Sequence, residues 1–199
     1  MRERKLDLRS IFEGKRLFLL GGTGFLGKVS LAMLLDRFPE VGRIYLMVRA
    51  STEAESESRF WETIVPSPSL QPLRERYGTK LNDFLREKIV VVGGDITHKN
   101  LGLDADKAQA IAEDIEVLLN SSGRVTFNPP LEAALKTNVS GTLNTLAFAK
   151  RMKRPAIVHM STCFVAGNRS GEIWESEPLI GYFPRKGVEV SELSVEKEI

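Results

Sequence analysis

A chain of 199 residues, 42% of them hydrophobic and 27% charged, fits one globular domain and excludes an intrinsically disordered chain. The net charge of +2 is too small to indicate a nucleic-acid partner, and the single cysteine, Cys163, excludes an internal disulfide and a cysteine-only metal site. We find neither a signal peptide nor an apolar run of about 18 residues. We therefore expect no transmembrane segment and a reducing, cytoplasmic location.

The first half of the chain alternates short apolar runs with helical stretches, which is typical of a parallel sheet flanked by helices. We predict strands at residues 16–20, 43–48 and 88–92. Helices are predicted at residues 24–37, 53–64 and 73–86. The prolines and serines of residues 65–69 separate the last two helices.

The second half continues the same alternation. Strands are predicted at residues 115–119 and 156–160, and a long helix at residues 129–150 with Asn128 as its N-cap. The fold class is therefore α/β: a Rossmann-type doubly wound parallel sheet with helices on both faces. We expect one domain over residues 1–199, incomplete at its carboxyl end.

A glycine-rich loop, GGTGFLG at residues 21–27, lies directly between the first strand and the first helix. Gly21, Gly24 and Gly27 suit a tight turn, close backbone approach to a pyrophosphate, and close helix–strand packing. The free amides at the helix start would then face the phosphates. A loop that merely turns is the alternative, but its context predicts dinucleotide binding.

The second strand ends in Arg49, where an NAD site usually carries an acidic residue. An arginine can bind a 2′-phosphate through paired hydrogen bonds, whereas a carboxylate would repel it. NADPH is therefore predicted over NADH. A solvent-facing arginine is the alternative. Arg59 is a candidate second phosphate ligand.

Asp95 and Ile96 follow the third strand, at the edge where a dinucleotide's adenine would lie. Asp95 could accept a hydrogen bond from the adenine amino group. The alternative is that its carboxylate caps the next turn.

Six motifs resemble the extended short-chain dehydrogenase/reductases, and within them fatty acyl-CoA reductases of the male sterility type and the reductase domains of carboxylic acid reductases. They span most of the chain: GGTGFLG (21–27), YLMVRA (45–50), GGDIT (93–97), NSSGRVTFN (120–128), TNVSGTLN (137–144) and VHMSTCFVAG (158–167). The resemblance implies NADPH-dependent reduction of a fatty acyl thioester, on coenzyme A or a carrier protein, to an aldehyde or alcohol.

The resemblance also implies roles for individual residues. The backbone of Thr23, Gly24, Phe25, Leu26 and Gly27 would bind the pyrophosphate, and Arg49 and Arg59 the 2′-phosphate. Asp95 and Ile96 would contact adenine. The residues that would line the rest of the cofactor path are Ser121, Ser122 and Gly123. Thr162 and Asn138 match the family's catalytic Ser/Thr and the asparagine of its proton relay.

Local sequence supports the two catalytic candidates. Asn138 lies in a run of poor helix formers inside a helical segment, a conflict that indicates a functional site or a packing constraint. Thr162 follows the fifth strand, where its hydroxyl could donate to a carbonyl oxygen that gains charge. The alternatives are a distorted helix with Gly141 packed on the sheet, and a hydroxyl that bonds only to backbone.

One expected feature of the family is missing from the sequence. The reaction needs a Tyr and a Lys four residues apart on a helix, and Tyr182 and Lys186 have that spacing. Pro184 opposes a helix between them, so we predict that they are not catalytic and that the true pair lies beyond residue 199. A nucleotide-sugar epimerase or dehydratase of the same family, and a cofactor-binding module without catalysis, are the alternative functions.

Overall fold

The computed structural model describes residues 7–166 and 171–176. Contacts along the chain group into two units that divide between Met160 and Ser161. Within the described part of the chain, every strand belongs to the first unit. The second unit contains a short 3₁₀ turn at Cys163–Ala166.

A five-stranded, all-parallel sheet forms the centre of the first unit, with strand order β3-β2-β1-β4-β5. The strands are β1 (Arg16–Leu20), β2 (Arg43–Val48), β3 (Ile89–Gly93), β4 (Val117–Asn120) and β5 (Ile157–His159). This order confirms the predicted Rossmann-type doubly wound sheet. The strand order reverses between β1 and β4, and ligands of such sheets bind in the crevice that this reversal opens at the carboxyl ends of the strands.

Alternating side chains of β1 enter two separate cores. Leu17 and Leu19 pack on one face, whereas Phe18 and Leu20 pack on the other, because successive strand residues point to opposite sides. All four are fully buried. Continuous apolar strands are what a sheet covered on both faces requires.

Helices cover both faces. Their bounds are α1 (Leu8–Phe12), α2 (Phe25–Arg37), α3 (Glu53–Arg59), α4 (Gln71–Tyr77), α5 (Leu81–Lys88), α6 (Ala105–Asp114), α7 (Leu131–Ala134) and α8 (Gly141–Ala149). The first core includes buried residues of α2, α4 and α5, and the second includes those of α6 and α8.

The helices predicted between β2 and β4 need correction. The helix predicted at residues 73–86 is two helices, because Gly78 has a φ of +51° and interrupts it with a 3₁₀ turn. The helix predicted at residues 53–64 is continuous but becomes a π-helix over Phe60–Ile64. Helix α6 was not predicted, although Asp104 caps it by accepting from the Lys107 N–H at 2.8 Å.

The long helix predicted at residues 129–150 is distorted. It starts as α7, passes through a π-helix at Leu135–Ser140, and continues as α8. Asn128 is not its N-cap: Pro130 occupies that position, and Asn128 has a φ of +54°. The distorted helix that the sequence left open as an alternative around Asn138 is therefore present.

Glu116 joins the start of β4 to the start of β1. Its Oε1 accepts from Lys15 Nζ at 2.9 Å, and its Oε2 accepts from the Arg16 backbone N–H at 2.9 Å. Burial raises the pKa of Glu116, but these hydrogen bonds and the nearby cations outweigh burial and hold the pKa below its usual range. The ionised carboxylate therefore favours the folded state.

We expect Glu116→Gln to lower the melting temperature at about pH 7 by a few degrees, and we expect this difference to shrink as the pH falls below the usual range of a glutamate. A depressed folded-state pKa contributes stability above the unfolded-state pKa, and that contribution is lost as the pH falls through the folded-state value. Thermal melts of both proteins across this pH range measure the difference. A difference that stayed constant with pH would contradict the assignment.

Candidate functional site

An open cleft lies at the carboxyl edge of the sheet, beside the β1–β4 reversal. Predicted residues that line it are Gly21, Thr23, Gly24, Arg49, Arg59, Asp95, Ile96, Ser121, Ser122 and Gly123. The cleft measures about 190 Å³, less than the roughly 300–1,000 Å³ of pockets that enclose a small ligand. A ligand of dinucleotide size would therefore lie along this cleft and extend beyond it.

Four further residues of the cleft wall are not among the predicted site residues: Met47, Gly94, Thr97 and Thr137. Met47, Gly94 and Thr97 are close chain neighbours of predicted residues in the same loop or strand end, and Thr137 precedes Asn138 in the π-helix. Motif position alone could have indicated them, because a loop that contributes one residue to a cleft usually contributes its neighbours.

The glycines of the first loop allow close backbone packing. Gly21 has a φ of +80°, and a Cβ there would lie 2.6 Å from the Ser121 backbone carbon. A Cβ on Gly27 would lie 2.1 Å from the Gly21 carbonyl oxygen. The loop therefore requires glycine for a left-handed turn at Gly21 and for close packing at Gly27.

Helix α2 begins at the cleft with Gly24 as its N-cap, and no side chain of the described residues caps it. Phe25 and Leu26 expose 75% and 55% of their surface and are not among the residues that line the cleft. Their backbone N–H groups belong to the first helical turn, where such groups lack helical partners and carry the positive end of the dipole. This helix start suits an anionic group.

Two arginines and one aspartate form the other end of the cleft. Arg59 Nη1 donates to the Arg49 carbonyl oxygen at 2.7 Å, and Arg49 Nη1 lies 3.9 Å from Asp95 Oδ2. The Arg49 side chain is 73% exposed, so its guanidinium is accessible to a ligand. Asp95 Oδ1 accepts from the Thr97 N–H at 2.8 Å. The turn-capping role considered for Asp95 is therefore present, while its second oxygen faces Arg49.

Ser121 and Ser122 follow β4 and meet the glycine loop. Ser121 Oγ donates to the Leu20 carbonyl oxygen at 2.8 Å, so this hydroxyl is satisfied. The Ser122 Oγ is buried in the cleft wall and has no hydrogen-bond partner within the described ranges. An unsatisfied hydroxyl, free helix amides and two guanidiniums fit a polar, phosphate-bearing ligand such as a dinucleotide.

Asn138 lies in the π-helix and bonds to the loop after β4. Its Oδ1 accepts from the Arg124 N–H at 2.7 Å, and its Nδ2 donates to the Arg124 carbonyl oxygen at 3.2 Å. The side-chain amide thus holds a loop, and its participation in a proton relay stays a prediction. Gly141 is buried against Ile96: a Cβ there would lie 2.7 Å from Ile96 Cδ1.

Thr162 belongs to the second unit, where its carbonyl oxygen accepts from the Val165 N–H at 3.3 Å. Its catalytic role stays a prediction. Tyr182 and Lys186 lie outside the described residues. Over residues 7–166 and 171–176 we find no cluster of side chains that could hold a metal ion, and no helix long and apolar enough to span a membrane.

Comparison with known proteins matches residues 19–192 to a family of NAD-binding domains described as "Male sterility protein". The chain is 34% identical over 171 residues to "Fatty acyl-CoA reductase 2, chloroplastic" of Arabidopsis thaliana, covering 85% of this chain and 28% of that protein. It is 35% identical over 164 residues to "Fatty acyl-CoA reductase 1" of the same plant, covering 81% and 33%. The chain therefore spans about a third of the length of these relatives.

Among solved structures, the chain is similar to the terminal R domain from the myxalamid PKS-NRPS biosynthetic pathway. The TM-score is 0.68 at 34% identity, over 85% of this chain and 40% of that one. The chain belongs to the male sterility family of NAD-binding domains, which implies a nicotinamide cofactor.

Proposed function

We propose that this chain is the NADPH-binding part of a longer reductase that converts fatty acyl thioesters to aldehydes or alcohols. The observation that carries the proposal is the cleft itself, with a glycine-rich helix start at one end and Arg49 and Arg59 at the other. The names of the relatives and of the similar R domain support the thioester substrate. The substrate would be carried by coenzyme A or by a carrier protein, and we propose a cytoplasmic location.

The choice of NADPH depends on the end of β2. The strand ends at Val48, and the next residue is an arginine whose side chain is mostly exposed at the cleft. A guanidinium offers paired donors to a 2′-phosphate, and Arg59 adds a second cation nearby. Asp95, the carboxylate at this end, lies 3.9 Å from Arg49, so the arginine offsets its charge.

The chain's own residues would hold the cofactor by its phosphates and assist the reaction at the substrate carbonyl. The amides at the start of α2 would bind the pyrophosphate, and Arg49 and Arg59 would bind the 2′-phosphate. A reduced nicotinamide, when bound, supplies the hydride. Thr162 would donate a hydrogen bond to the substrate carbonyl oxygen as that oxygen gains negative charge. The Tyr and Lys that complete proton transfer are proposed to lie in the longer protein.

The proposed activity is tested by NADPH oxidation in the longer protein with palmitoyl-CoA as substrate. We expect turnover with palmitoyl-CoA, and a fall in kcat of about 100-fold in Thr162→Ala because one donor to the oxyanion is lost. NADPH affinity, measured by calorimetry, should be the same in both proteins.

Unchanged turnover in the Thr162→Ala protein would remove this residue from the mechanism. Incubation with UDP-glucose, followed by chromatography of the sugar nucleotide, separates the alternative enzyme, since an epimerase or dehydratase would convert the sugar nucleotide without net NADPH oxidation and would not act on the thioester. Tight NADPH binding without turnover of either substrate would favour a cofactor-binding module.

A further inference from the structure

One distorted helix contacts both sides of the cleft. Two loops form these sides: residues 94–97, here the β3 loop, and residues 121–124, here the β4 loop. The π-helix at Leu135–Ser140 contacts the β4 loop through Asn138, and α8 contacts the β3 loop through Asn144. Two asparagines of one helical segment therefore reach two different walls of the same cleft.

Asn144 fixes the β3 loop. Its Nδ2 donates to the Ile96 carbonyl oxygen at 2.9 Å, and the Ile96 side chain is 5% exposed against Gly141 of the same helix. Ile96 and its neighbour Asp95 both line the cleft. The helix therefore holds this wall by a side-chain hydrogen bond and by a close contact that only glycine permits.

The β3 loop also bonds to a neighbouring segment that has an uncommon backbone conformation. The Asp95 N–H donates to the Leu101 carbonyl oxygen at 2.8 Å, and Asn100 and Leu101 have φ values of +56° and +61°. A left-handed conformation is costly for Leu101, although asparagine tolerates it, so the surrounding contacts must maintain it at Leu101. Arg151, just after α8, donates to Asn100 Oδ1, which adds a second tie from this helix.

Asn138 acts on the other wall. Its amide forms two hydrogen bonds to the Arg124 backbone, and a Cβ on Gly123 would lie 3.6 Å from its Oδ1. Gly123 and Ser122 line the cleft next to the glycine loop. Asn138 therefore fixes the wall away from Arg49, where the remainder of a dinucleotide would lie.

We propose that Asn144 is a positioning residue for the adenosine half of the cofactor, and that Asn138 positions the pyrophosphate and nicotinamide half. The inference rests on the proposed dinucleotide function. Each side-chain amide fixes one loop to the helix. A cleft wall that is ordered before the cofactor binds need not become ordered on binding, so less of the binding free energy is lost. Loss of one such hydrogen bond corresponds to about 1 kcal/mol, or about fivefold in affinity.

The test uses two probes, NADPH and adenosine 2′,5′-bisphosphate, which is the adenosine half alone. We expect Asn144→Ala to weaken the binding of both probes by about fivefold. Asn138→Ala should weaken NADPH binding by about fivefold and leave binding of the bisphosphate within about twofold. Isothermal titration of each variant measures both values.

The matched control is Thr142→Ala. Within the described residues, the Thr142 hydroxyl donates to the Asn138 carbonyl oxygen of its own helix and not to a cleft loop. This variant should change neither affinity, although it removes a hydrogen bond from the same segment. If Asn144→Ala does not fold, Asn144→Asp keeps the side-chain size, removes the donor, and should show the same loss for both probes.

The results separate this inference from the function on which it rests. A parent chain that binds neither probe refutes the dinucleotide function. A parent chain that binds both, with equal effects of Asn138→Ala and Asn144→Ala on the bisphosphate, overturns the division of roles. Lower melting temperatures with unchanged affinities would assign both asparagines a purely structural role and would overturn their proposed roles in positioning the cofactor.

Discussion

Replacing Arg49 by alanine is expected to raise the dissociation constant of NADPH by about 100-fold while changing that of NADH by less than about threefold. The guanidinium is the group at the end of β2 that can form paired, charge-assisted bonds to a 2′-phosphate. Its removal also leaves the Asp95 carboxylate without its cation, so the same site would repel the phosphate. Calorimetric titration with the two nucleotides measures the selectivity.

Two controls accompany this experiment. The Arg49 side chain is 73% exposed, so the alanine variant should fold with nearly unchanged stability. Arg49→Lys keeps the charge but not the forked donors, and should lose about tenfold in NADPH affinity. Equal affinity of the parent chain for NADPH and NADH, or intact NADPH binding in Arg49→Ala, would remove Arg49 as the selecting residue.

Replacing Gly27 by alanine is expected to lower the free energy of unfolding by at least about 3 kcal/mol. A Cβ at this position would lie 2.1 Å from the Gly21 carbonyl oxygen and 2.7 Å from the Gly22 Cα, both backbone atoms. Neither can move without separating α2 from β1, and both elements contribute fully buried leucines to one core. Urea unfolding of the two proteins measures the difference.

The control for Gly27 is Gly123→Ala in the facing loop. A Cβ on Gly123 would make its nearest contact at 3.6 Å, to Asn138 Oδ1, which is an ordinary distance. This variant should therefore stay within about 1 kcal/mol of the parent chain in unfolding free energy. If Gly27→Ala lowered the unfolding free energy no more than Gly123→Ala does, the packing role assigned to Gly27 would be wrong.

The strands and the parallel sheet could be predicted because a sheet covered on both faces needs short, continuous apolar runs. β1 and β2 were predicted at their observed bounds, and the observed β4 begins two residues after its predicted start at residue 115. Helix α6 was not predicted, although Asp104 supplies a capping signal, since its apolar pattern extends over only ten residues. The interruption at Gly78 was not predicted, because a lone glycine does not always end a helix.

The sequence could predict which loops supply the cleft residues, but not which atoms those residues contact. The sequence motifs predicted Asp95 and Asn138 beside a cofactor and left open a turn-capping role for Asp95, which the Thr97 N–H fulfils, but they did not indicate the Arg124 backbone as the partner of Asn138. The partner of Asn138 lies 14 residues away, across a loop and a distorted helix. Local propensity contains no information about such a pairing.

The amino-acid sequence by itself determined the layered α/β fold, the glycine loop at Gly21–Gly27 and the basic end of β2, because these depend on periodicity, on the absence of a Cβ, and on residue charge. Only the tertiary structure decided that Arg49 faces Asp95, that Arg59 bonds to the Arg49 backbone, and that one distorted helix holds both walls of the cleft. These features join segments distant in the chain, so their geometry follows from how strands and helices pack and not from local preference.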